Sequence, residues 1–131
     1  MSTVQTRQGK FSAPGKGNIY AKANEVIVKI NGGDTDNTFE VVEENCKPGF
    51  QSRAHYHIKA YETFYVFEGS ADFQVGDEVF HATKGSCVHI PPGVPHQLHS
   101  HGGPLDYFEI QAWRSFKTTI LSEEPLGLRW Y

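Results

Sequence analysis

Cysteine is scarce in this chain of 131 residues, and the two present, Cys46 and Cys87, stand far apart. No disulfide framework or thiolate zinc site follows from such spacing, and both read as reduced, buried thiols. Positive charge is also short, with 12 Lys and Arg against 15 Asp and Glu, for a net charge of −3. That balance offers no basic patch for nucleic acid or anionic lipid. Apolar runs are short, so no transmembrane helix is expected, and residues 1–7 lack the apolar stretch of a secretion signal. A soluble, cytoplasmic protein is the expectation. Helical periodicity of 3.6 residues is missing throughout.

What the chain does have is short β-prone runs separated by glycine, proline and asparagine. Residues 1–18 read as a loose arm. Strands are expected at Glu25–Ile30, Thr38–Glu44, Thr63–Glu68, Ala71–Val75, Glu78–His81, Ser86–Ile90, His96–His101 and Leu105–Trp113. Gly76–Asp77 marks a tight hairpin. About eight strands with turns every eight to twelve residues predict an all-β sandwich or barrel, in which a lined interior holds one ligand or metal. The division is an N-terminal arm over 1–18, a barrel over 19–116 and an irregular tail over 117–131.

Histidine is the surplus: all seven lie between positions 55 and 101. His55 and His57 are two residues apart, so on a strand they share a face, and Glu62 follows after a short bend. Two imidazoles and a carboxylate converging on one point suit a divalent first-row ion, Fe, Mn, Ni, Cu or Zn. Pro91–Pro92–Gly93 then sets the start of the His96 strand, which would bring that histidine to the other three residues. If His96 faces inward, Leu98 and Ser100 do too, and His99 and His101 face out. His81 reads as a surface residue. On Ser86–Ile90, parity separates Val88 and Ile90 from Cys87 and His89 without saying which pair is inside, so His89 stays a candidate pocket residue.

These residues form two blocks: Gly49-x5-His55-x-His57-x4-Glu62-x6-Gly69 and Gly85-x5-Pro91-x-Gly93-x2-His96. Fifteen residues separate them. In this pairing and order the chain resembles the cupin superfamily, as a small single-domain member. The wording around Glu62–Gly69 and Ile90–His96 is similar to the quercetin-dioxygenase-like group. The resemblance implies a double-stranded β-helix (the cupin jelly-roll barrel), a metal held by His55, His57, Glu62 and His96, and a homodimer that exchanges an N-terminal arm. Ser100 stands where the family usually has Asn, which makes the polar group near the site smaller.

On these expectations the chain is a metal-dependent dioxygenase. It would take a small enolic, phenolic or flavonol-like substrate together with dioxygen, with Glu62 as ligand, general base or both. A non-oxidative isomerase, cyclase, dehydratase or lyase of the same fold would need the same ligands. A metabolite-binding module is a third reading, weakened because no helix-turn-helix accompanies it. The pocket is expected to draw on Phe64, Val66, Leu98, Phe108 and Ile110, on Val88 or His89, and on Phe50 and Tyr61 near the mouth. Arg53 shares the parity of His55 and His57, and either reaches an anionic substrate group or lies at the rim.

Overall fold

The structure is a computed structural model that describes residues 8–21, 24–113 and 128–130. The strands are β1 (Asn18–Ala21), β2 (Glu25–Ile30), β3 (Phe39–Cys46), β4 (His55–His57), β5 (Ala60–Glu68) and β6 (Ala71–Val75). They continue with β7 (Glu78–Ala82), β8 (Cys87–Ile90), β9 (His96–Ser100), β10 (Leu105–Trp113) and β11 (Leu128–Trp130). They form a six-stranded sheet, β1-β2-β3-β10-β5-β8, facing a five-stranded sheet, β11-β4-β9-β6-β7. Every described pairing is antiparallel. This is the all-β sandwich expected from the strand pattern, in the jelly-roll form that the family resemblance implies.

Several boundaries follow from local chemistry. Gly76 takes a positive φ of 59° in the two-residue turn that closes β6 on β7, with Val75 paired to Glu78. Gly69, at φ 81°, turns β5 into β6 where a Cβ would lie 2.1 Å from the Pro104 carbonyl oxygen, so only glycine fits. Asn31–Asp34 tightens into a 3-10 turn over Gly32–Thr35, capped reciprocally by the Asn31 and Asp34 side chains.

The core lies between the sheets. Phe64, Val66, Val88, Ile90, Leu105 and Tyr107 come from the first sheet, and Ala71, Phe73, Val75, Ala82 and Leu98 from the second. Phe64 is the hinge of this packing: its ring centroid is 5.1 Å from Phe73 and 5.0 Å edge-on from Tyr107. Burying a side chain of this size contributes roughly 1.5–3 kcal/mol.

Four expectations change. β1 begins inside the span read as an arm, and Lys29 Nζ donates to the carbonyls of Ala13 and Lys16, tying residues 13–18 to β2. Residues 117–127 of the expected tail lie outside the described residues, but Leu128–Trp130 pairs with β4 as an edge strand. Cys87 is exposed, while Cys46 is buried as expected. Phe108 and Ile110, expected to line the interior, face outward: Phe108 stacks on Phe67 at 4.7 Å, and Ile110 is 41% exposed. On β10 it is Leu105, Tyr107 and Gln111 that are buried. The expectation for Phe108 and Ile110 fails because this strand carries polar groups into the interior.

Candidate metal centre

The two sheets bring the motif residues together from opposite walls. In the five-stranded sheet His55 is paired directly with His96 on the neighbouring strand, and His57 shares the face of His55. Residues 50–52 run beside β9 ahead of this pair: Ser100 N donates to the Phe50 carbonyl at 2.8 Å, and Ser52 N to the Leu98 carbonyl at 2.9 Å. Ile58–Lys59 bends the chain into the other sheet, so Glu62 on β5 looks back across the interior. The Pro91–Pro92–Gly93 turn is tied to β4 by the Gly93 N–H, which donates to the His57 carbonyl at 2.7 Å.

One donor atom from each of His55, His57, Glu62 and His96 lies within 4.8 Å of the others. His57, Glu62 and His96 are 4%, 3% and 5% exposed. The imidazoles are oriented from behind. His55 Nδ1 lies 2.8 Å from the Arg53 carbonyl and His96 Nδ1 lies 2.9 Å from the Val94 carbonyl. Donation through Nδ1–H leaves each Nε2 with a free lone pair, the arrangement by which metal-ligating histidines are held. Glu62 Oε1 is 2.9 Å from His96 Nε2 and 3.2 Å from His57 Nε2. Despite these distances none of the three atoms makes an aligned hydrogen bond, and both ring nitrogens of His57 are unpartnered. Buried polar atoms are seldom left so. Unpartnered donor atoms gathered within 4.8 Å of one another are what a bound cation would satisfy. Three imidazoles and one carboxylate fit a divalent transition metal.

The opposite half of the site is acidic. Gln111, directly opposite Glu62 on β10, donates through Nε2 to Glu62 Oε2 at 3.1 Å and to Glu109 Oε2 at 2.6 Å. Tyr107 Oη donates to Glu44 Oε1 at 2.8 Å. Burial, the Glu62 charge and a hydrogen bond to Glu62 push the Glu109 carboxyl well above the usual carboxylate range. Burial would raise Glu62 as well, but its contacts with Glu109, His57 and His96 outweigh that and hold it well below. Burial lowers His55, favouring the neutral imidazole that a metal needs.

A cavity of about 370 Å³ opens on this cluster. Phe50, Phe64, Phe73 and Leu98 supply its apolar lining and Glu44, Tyr107, Glu109 and Gln111 its polar lining, with Ser52 and Gln97 also lining it. Of the residues expected at the substrate, Phe64 and Leu98 therefore line the cavity beside the four candidate ligands. Arg53, His89 and Phe108 do not. Arg53 is exposed, and its carbonyl faces His55 Nδ1. His89 points outward, stacking on Tyr61 at 5.9 Å and hydrogen-bonding Thr63 Oγ1 at 2.8 Å, because Val88 and Ile90 take the inner positions of β8. Tyr61 thus leaves the mouth as well, whereas Phe50 is there. His99 and His101 are exposed, and Ser100 is buried, as parity predicts.

Sequence reading missed Glu44, Tyr107, Glu109 and Gln111. The available signal was that Tyr107, Glu109 and Gln111 share the parity of Leu105; nothing local said that this was the inner set.

The fold and the buried ligand set describe a jelly-roll protein with a candidate metal centre between its sheets. The sequence model described as "Cupin domain" matches residues 42–111, more than half of the chain. The chain belongs to the cupin family. It is 34% identical over 80 residues to the xanthan biosynthesis protein XanB of Xanthomonas campestris pv. campestris, covering 60% of this chain and 17% of that protein. The chain therefore spans less than a fifth of the length of that curated relative. Among solved structures, KdgF from Halomonas sp. superposes with a TM-score of 0.71 at 13% identity, over 82% of this chain and 96% of that one. A variant of oxalate decarboxylase (B. subtilis) gives 0.70 at 21% identity, over 86% and 31%. At these identities the structural likenesses establish the fold alone.

Proposed function

We propose that this cupin is a metal-dependent enzyme acting on a small molecule, with His55, His57, Glu62 and His96 as ligands to one divalent transition metal. The observation that carries the proposal is the convergence of these donor atoms within 4.8 Å, with buried His57, Glu62 and His96 atoms left without aligned hydrogen bonds. A divalent ion there supplies Lewis acidity toward a substrate oxygen. The chain's own contribution is positional. Backbone carbonyls behind His55 and His96 fix their rings, Gln111 holds Glu62 Oε2, and Phe50, Phe64, Phe73 and Leu98 give the cavity an apolar lining. Glu62 Oε1 is also the carboxylate atom placed to accept a proton from an enol or hydroxyl held between the walls.

Within this proposal the first assignment is a dioxygenase for a small enolic, phenolic or flavonol-like substrate, in keeping with the quercetin-dioxygenase-like wording of the motifs. The aromatic side of the cavity supports a flat substrate. The second assignment is non-oxidative: an isomerase, cyclase, dehydratase or lyase. It is supported by the polar lining, where Glu44, Tyr107, Glu109 and Gln111 offer hydrogen bonds to a hydroxyl-bearing molecule. An oxygen electrode separates the two. Oxygen uptake stoichiometric with substrate loss, under Fe, Mn, Ni or Cu loading, is the expected result, and undiminished turnover under strict anaerobiosis overturns the dioxygenase assignment. The proposal includes a homodimer, supported by Tyr65 and Ile110, exposed on the outer sheet face beside Phe67 and Phe108. Sedimentation as a monomer at micromolar concentration would refute that part.

A further inference from the structure

We propose a second, surface metal site on the outer face of the five-stranded sheet, formed by Asp72, His81 and His101 and suited to a borderline divalent ion such as Zn2+ or Cu2+. Asp72 sits on β6 with His81 directly opposite it on β7. His101 follows the last residue of β9, and its N–H donates to the Ser70 carbonyl at 3.1 Å, pinning the backbone there. Three adjacent segments of one antiparallel sheet therefore present the three side chains on one face.

Two imidazoles converge on a single carboxylate oxygen. His81 Nδ1 lies 2.5 Å and His101 Nε2 lies 2.6 Å from the same Asp72 oxygen, Oδ1. One donor atom from each residue lies within 4.8 Å of the others. The other nitrogen of His101, Nδ1, is 3.0 Å from Ser70 Oγ. The Ser70 hydroxyl can accept from Nδ1–H or donate to Nδ1; when it accepts, the Nε2 lone pair faces the Asp72 carboxylate, and a cation between them makes that contact favourable. A hydroxyl behind one ligand imidazole is also the outer support that fixes ring orientation in metal sites.

Two imidazoles and one carboxylate select borderline ions over Ca2+ or Mg2+, which prefer all-oxygen shells. Side-chain exposures of 73% for His81 and 41% for His101 leave room for water to complete the coordination. His99, in register with Asp72 on its other side, adds an imidazole to the same face. The site is separate from the buried ligands and does not depend on their occupancy.

Zn2+ titration of the tag-free, metal-stripped full chain by calorimetry tests the proposal, alongside ¹⁵N shifts of the histidine rings. Wild type is expected to show a class of Zn2+ binding that His81→Ala and Asp72→Asn each weaken by at least roughly tenfold, and Ser70→Ala by about tenfold. The ring nitrogens of His81 and His101 should shift on Zn2+ addition. His57→Ala should leave this class intact and remove only binding at the buried cluster, so failure at one site is distinguishable from failure at the other. Unchanged stoichiometry and affinity in both His81→Ala and Asp72→Asn, or ring nitrogens of His81 and His101 that ignore Zn2+, would show an imidazole–carboxylate contact and overturn the proposal.

Discussion

Replacing His57 by leucine should change the stability of the metal-free protein by no more than about 2 kcal/mol, yet remove most of the stabilisation that metal gives through the buried cluster. His57 is 4% exposed and neither ring nitrogen has a hydrogen-bond partner. Removing an unpaired buried polar group recovers roughly 1–3 kcal/mol. Against this, Glu62 loses a polar neighbour 3.2 Å away, at a cost of similar size for a buried carboxylate. The two terms oppose, so the metal-free variant should stay within about 2 kcal/mol of wild type. With metal at a hundred times its dissociation constant, wild type gains about 2.7 kcal/mol. For a chain of this length that corresponds to roughly 8–13 °C in Tm. Thermal unfolding of both proteins, with a chelator and with a series of divalent ions, measures it. With the surface cluster silenced by Asp72→Asn in both proteins, the His57→Leu variant should move by less than about a quarter of the shift seen when His57 is kept. An equal metal-induced shift in both proteins, with no difference in metal content, would refute the assignment of His57 as a ligand.

Glu62→Gln should retain some metal, because three imidazoles remain, but lose most turnover if the carboxylate also moves the proton; metal analysis beside activity decides, and full activity would confine Glu62 to holding the ion. Gly69→Ala places a methyl against the Pro104 carbonyl at a positive φ and should cost at least about 2 kcal/mol in urea unfolding. Burial, followed by the Glu44 charge, raises both the Cys46 thiol and the Tyr107 phenol above their ordinary values of 9.0 and 10.0. Groups raised in the folded state contribute stability below their unfolded pKa and lose it as pH climbs, so stability should fall above pH 9 and more steeply above pH 10. Tyr107→Phe should make the limb above pH 10 shallower by about 1.4 kcal/mol per pH unit. A thiol reagent on the native protein should titrate Cys87 at once and Cys46 only after unfolding, since Cys87 is exposed and Cys46 buried.

The strand pattern, the Gly76–Asp77 hairpin and the four candidate ligands were legible because each rests on short-range information. Turn residues require particular φ angles, and alternation along one strand puts His55 with His57 and sets His96 apart from His99. The same rule failed on β10 and left β8 open, since alternation sorts residues into two sets without naming the inner one. Apolar content usually decides that. Here Phe108 and Ile110 are outside and Glu109 and Gln111 inside, because the inner face of β10 walls a polar site.

The sequence by itself determined the two histidine blocks, their spacing and the family that carries them. Only the tertiary structure decided what stands opposite them. The register that sets Gln111 against Glu62, and the sheet pairing that lays Asp72 beside His81 with His101 at its edge, join residues up to 49 positions apart. Such contacts come from how strands align across sheets, a choice made by the packing of the whole core rather than by any local run of residues.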